Sequence, residues 1–125
     1  MLINGRRLLL ASAARTATAT SPALRNRWHK ALHLVLDVTA ASGTGGLTLH
    51  VQQVDRDTGK TVDLLVDGSA ITATGTYGFQ LALSEGAAGN GIRAAASRML
   101  PSDWQVQIVH GDGSSYTYSL SAVLE

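Results

Sequence analysis

A chain of 125 residues fits a single domain, since compact domains cluster at about 100–150 residues, and it can bury roughly two-thirds of the surface its unfolded form exposes. It has no cysteine, which excludes a disulfide, a zinc–thiolate site and a cysteine nucleophile, and no apolar run near the roughly 20 residues of a membrane span. Net charge is only +1, yet residues 1–36 carry Arg6, Arg7, Arg15, Arg25, Arg27 and Lys30 with no acid, while residues 37–125 carry four bases and nine acids, a net of −5.

The first 19 residues, MLINGRRLLLASAARTATA, have the basic start and later small residues of a signal peptide. The apolar run Leu8–Ala14 is broken by Ser12 and followed by Arg15, so the segment reads as part of the folded chain. Residues 1–27 are expected to form an extended basic arm with one or two edge strands, at Leu8–Ala11 and Thr16–Thr20, and Pro22 ends their pairing. A basic arm on a mildly acidic body can grip nucleic acid or the acidic surface of a neighbouring protein. No aromatic interleaves with Arg6 and Arg7, which argues against base stacking and hence against a nucleic-acid partner. Contact with other protein subunits is the expected use, through Arg6, Arg7, Arg15, Arg25, Arg27 and Trp28. The competing reading of the same residues is a solvated N-terminal strand, and Trp28 could equally cap the edge of the core.

Residues 28–125 are expected to form the domain body, and alternation dominates them. Leu32, Leu34, Leu36 and Val38 oppose His33 and Asp37; Leu47, Leu49 and Val51 oppose Thr48, His50 and Gln52. Val62–Val66 adds a short strand. Tyr77, Phe79, Leu81 and Leu83 alternate with Gly78, Gln80 and Ala82, and Trp104, Val106 and Ile108 with Gln105 and Gln107. The last segment sets Tyr116, Tyr118, Leu120, Ala122 and Leu124 against Thr117, Ser119, Ser121 and Val123. A period of two means strands with one buried and one wet face. Glycine-rich links, ASGTGG at 41–46 and GDGS at 111–114, supply turns. The expectation is an all-β, antiparallel β-sandwich of seven to eight strands, Ig-like or jelly-roll-like. Trp104 is expected in the core. One short helical turn is expected over Ile92–Leu100, where Ala94–Ala96 precede the stop at Pro101.

Several stretches imitate catalytic or ligand sites. Gly59–Thr61 reads GKT, but a phosphate loop needs glycine at position 54, which is Val54, and a following helix, where TVDLL is strand-like. Asp55, Asp57 and Asp63 suggest calcium, but a loop starting at Asp55 would place Lys60 and Val66 where glycine and glutamate belong. A hairpin explains the segment better, with Asp55 and Asp57 accepting backbone N–H groups and Gly59 left-handed. His29, His33, His50 and His110 make no HxH or HExxH pair, and no serine lies in GxSxG. Asp37, Asp63, Asp67, Glu85 and Asp103 could pair in space, yet nothing in their spacing favours acid–base work. No enzyme activity, metal, cofactor or small-molecule substrate is expected.

The series TATAT (16–20), RNRWHKALHLVLDVTA (25–40), DRDTGK (55–60), ITATGTYGF (71–79), LPSDWQVQIV (100–109) and SYTYS (115–119) resembles a family of small virion proteins encoded among the structural genes of tailed bacteriophages and prophages. The resemblance covers Arg15 to Leu124. Each motif is turn or strand chemistry with little information, and the specificity lies in their order. Arg56 stands where many members have proline, and Leu83–Gly91 (LSEGAAGNG) replaces a P-G-L segment. The resemblance implies a structural protein of the virion with no catalytic residues. Its expected role is head decoration or cement on the major capsid protein lattice, as a homo-oligomer. The alternative within the virion is a tail, neck or connector protein. From another class, a carbohydrate-binding β-sandwich would need aromatics on a wet face, for which Trp28, Tyr77, Tyr116 and Tyr118 are the candidates.

Overall fold

Five alternating segments cannot each bury one face alone; two sheets closing over those faces can. The computed structural model describes residues 5–83 and 91–125, and they form two sheets with no helix among the described residues. The first sheet runs β1 (Gly5–Arg15), β10 (Tyr116–Leu124), β4 (Leu32–Ala41), β7 (Gly75–Leu81), β8 (Ile92–Ala96). The second runs β2 (Ala19–Thr20), β9 (Asp103–His110), β5 (Leu47–Val54), β6 (Thr61–Val66), and β3 (Leu24–Arg25) also pairs with β9. All pairs are antiparallel except β7 with β8.

The inward rows are those the alternation predicts. Leu32, Leu34, Leu36, Val38, Phe79, Leu81, Tyr116, Tyr118 and Leu120 from one sheet meet Leu47, Leu49, Val51, Trp104, Val106 and Ile108 from the other in one buried cluster. Full burial of each such side chain contributes about 1.5–3 kcal/mol. Leu83 departs from its row and is exposed.

Two expectations are corrected. The N-terminal segment is no free arm: β1 pairs with β10 from Gly5↔Leu124 to Arg15↔Tyr116, and Leu9 enters the core. Its register slips between Leu8 and Leu10 and again between Leu10 and Ala13. Each slip places an extra residue on β1, and this resets the alternation and hides the strand in a Leu-Leu-Leu run. Pairing also resumes beyond Pro22. Ser21 bridges β2 and β3, its N–H donating to Val106 O (2.8 Å) and its hydroxyl accepting from Val106 N (2.9 Å). The expected helical turn at Ile92–Leu100 is also absent, because Ile92–Ala96 is the edge strand β8, with Ala94 and Ala96 packed on the core. Alanine is the best helix former, but its advantage over most residues is only a few tenths of a kcal/mol each, and tertiary pairing overrides it.

The segment around GKT is a hairpin between β5 and β6. The Asp55 carboxylate accepts the Asp57 N–H at 3.0 Å and the Thr58 hydroxyl at 2.8 Å, and these bonds, the hydroxyl's foremost, hold its pKa below the usual carboxylate value. Gly59 stands at φ 74°. Asp57 contributes its backbone N–H, and Arg56 reaches out of the turn to the Asp103 carboxylate.

Candidate functional site

The chain passes from the first sheet to the second between β1 and β2, and this crossing brings two basic stretches of sequence to one end of the sandwich. Gly5–Arg7 lie against Leu124–Ala122, while β3 lies against Trp104 and Asp103. Between them is a cleft of about 320 Å³ lined by Gly5, Arg6, Arg7, Leu24, Arg25, Asn26, Arg27, Trp28, His29, Trp104 and Leu124. Of these, Trp104 and Leu124 are buried, whereas Trp28 is 69% exposed.

The loop carrying Arg27 and Trp28 is held from both sides. Asn26 Oδ1 accepts the His29 N–H at 2.9 Å, and Asn26 Nδ2 donates to His29 O at 2.6 Å, Leu100 O at 3.2 Å and Pro101 O at 3.3 Å. Asn26 N donates to Ser102 O at 2.6 Å, and Lys30 N and Ala31 N donate to Glu125 O at 2.6 and 2.8 Å. An asparagine three residues ahead of its partner is a local turn former. That spacing was the one sign in NRWH of a clamped loop. His29 closes the cleft beside Gly5, whose Cβ position would lie 3.5 Å from His29 Nε2.

The charge of the cleft is one-sided. Among the described residues, no carboxylate belongs to its lining. Asp103, the nearest acid by pairing, binds Arg56 and lies 3.8 Å from Arg25. Among the described residues, no carboxylate pairs with Arg6, Arg7 or Arg27. A guanidinium is a planar fork of donors suited to carboxylates and phosphates. The arrangement can therefore hold an anion beside a flat apolar surface.

Of the residues singled out in the sequence, Arg6, Arg7, Arg25, Arg27 and Trp28 come together here, and Arg15 does not. Arg15 sits at the far end of β1, its guanidinium 4.6 Å from the Tyr118 ring centroid and donating to Tyr118 O (2.7 Å) and Ala11 O (2.6 Å). The histidines are dispersed: His29 in the cleft, His33 beside Glu125, His50 beside Asp63, and His110 at the opposite end on Tyr118. Asp67 is nearly buried and binds Arg93. Glu85 lies outside the described residues, as does most of the Leu83–Gly91 departure. Tyr116 and Tyr118 are fully buried, which removes them as candidates for stacking on a sugar. Compared with known proteins, the chain matches no family model, and no curated protein matches it.

Proposed function

We propose that this chain is a non-enzymatic structural protein of a tailed-bacteriophage virion, a head decoration protein that binds the outside of the major capsid protein lattice. The ordered motifs from Arg15 to Leu124 support the virion reading. The strand order supports it too. In an eight-stranded jelly roll, the first, eighth, third and sixth strands form one sheet, and the second, seventh, fourth and fifth form the other. Taking β2 with β3 as one interrupted strand and β8 as an added edge, the order β1-β10-β4-β7 against β2-β9-β5-β6 follows that scheme, one used by viral capsid domains.

The observation that carries the decoration reading is the convergence of Arg6, Arg7, Arg25, Arg27 and Trp28 on one end of a rigid body. Arginine and tryptophan are the residues that most often dominate protein interfaces. A homo-oligomer around a lattice symmetry axis would present several such ends at once.

Co-sedimentation of the purified protein with expanded heads lacking it tests the proposal. Saturable binding that is lost in Arg7→Glu/Arg27→Glu is the expected result. Binding to isolated tails or necks instead would move the protein to the alternative virion position, and binding to neither would overturn the virion reading.

A further inference from the structure

We infer that the cleft between β1, β3 and the Asn26–Ala31 loop is a receptor for a short acidic segment of a partner protein. Asp or Glu carboxylates sit on the guanidinium groups, and an apolar side chain packs against the Trp28 indole. The inference rests on the cleft being a contact site and not on the virion assignment.

Charge is the first argument. Arg6, Arg7 and Arg27 are exposed, converge on one concavity with Arg25, and have no carboxylate partner among the described residues. No described acid pairs with Arg6, Arg7 or Arg27, so an anion from outside the chain would relieve their mutual repulsion. Asp103 is shared between Arg25, at 3.8 Å, and Arg56 of the β5–β6 hairpin, and it pairs with none of Arg6, Arg7 and Arg27.

Shape and chemistry narrow that anion to a peptide. At about 320 Å³ the cleft lies at the small end of the ligand-pocket range of roughly 300–1,000 Å³, room for a few side chains. Apolar Leu24, Trp104 and Leu124 are among its lining residues, and it holds an exposed indole on a loop tied by Asn26 to Leu100–Ser102. A bare inorganic anion would use the arginines and leave those surfaces idle. Nucleic acid is disfavoured because the basic residues occupy one end and not a stripe, and because the rest of the chain, residues 37–125, carries a net of −5 and repels phosphates beyond the cleft. One exposed aromatic is also too few for a stacking track.

The test uses the intact protein and the accessibility of Trp28 to acrylamide, a neutral quencher. Trp28 is exposed and Trp104 buried, so the quenchable emission belongs to Trp28, and Trp28→Phe verifies this. The probe is a blocked pentapeptide with two acidic residues on each side of a leucine, compared with its amide counterpart, an oligothymidylate of matched charge and inorganic phosphate. The acidic peptide is expected to protect Trp28 saturably. Arg7→Ala/Arg27→Ala is expected to weaken it by about tenfold or more, with the blue-shifted emission of buried Trp104 unchanged as the check on folding. Added salt should weaken it as well. The inference is overturned if the acidic peptide gives no protection, if the amide peptide or phosphate alone protects equally, or if oligothymidylate binds more tightly. Peptide binding without head binding would leave the receptor cleft standing and remove the head-decoration assignment. Head binding without peptide binding would do the reverse.

Discussion

Tyr118 is fully buried, and its hydroxyl lies 2.9 Å from His110 Nε2. Burial drives the phenol pKa up to about 12, against an opposing pull from Arg15. Burial also pushes the His110 pKa below 6.5, helped by the Arg15 charge and opposed by Asp112. A histidine with a depressed pKa binds its proton less readily folded than unfolded. Its contribution to stability is therefore complete above the unfolded value of about 6.5 and is lost as pH falls through the folded value. Tyr118 acts at the other end of the scale: the unfolded phenol ionises near pH 10, so stability falls as pH rises from about 10 through 12. Urea titrations across these windows should show both losses, and His110→Gln should flatten the acid limb alone. Glycine substitutions give a second residue-scale check. A Cβ on Gly111 would lie 2.2 Å from the Gly45 carbonyl oxygen, whereas one on Gly113 meets nothing within 4 Å. Gly111→Ala should cost about 1–3 kcal/mol in denaturant unfolding, and Gly113→Ala should be close to neutral.

At the scale of the element, the β5–β6 hairpin and the β8 edge make separable predictions. Gly59→Ala keeps every contact but places alanine at φ 74°, for a loss of about 1 kcal/mol. Arg93 fastens β8 to the turn after β6, binding the nearly buried Asp67 carboxylate and donating to Ser69 O at 2.8 Å. Arg93→Ala leaves that carboxylate without its partner and should cost about 3 kcal/mol by thermal or urea unfolding. Deleting β1 is a different matter from trimming an arm. It would strip the edge of β10 and uncover the core at Leu9, so the truncated chain should aggregate or lose cooperative unfolding. The five central strands were legible because β4, β5, β7, β9 and β10 each keep one face in the core and one outside. β1 was only half legible, since its two bulges shift the pattern by one residue each. β8 was misread because its three alanines say little about period and fit a helix as well as a strand.

For the whole molecule, the cleft depends on where the chain crosses between sheets. Arg6 and Arg7 precede Arg25 and Arg27 by nearly 20 residues, and only the β1-to-β2 crossing places them side by side. Their charge was readable in the sequence, but their meeting was not. The same geometry excludes Arg15. An 11-residue strand at about 3.3 Å per residue sets its two ends roughly 30 Å apart, so an arginine of equal sequence prominence ends on the Tyr118 ring instead. In the sequence Trp28 read equally as a partner contact or as a cap on the core edge, and the structure leaves it exposed; Asn26, which holds its loop, carries no charge to draw attention.

The position of the protein in a reconstructed particle tests the central claim most directly. The account predicts density for the sandwich on the outside of the head shell, its Arg6–Arg7–Arg25–Arg27–Trp28 end turned toward an acidic segment of the capsid protein. A particle carrying the protein with that end facing solvent, or a complete particle with no density for it, would contradict the account.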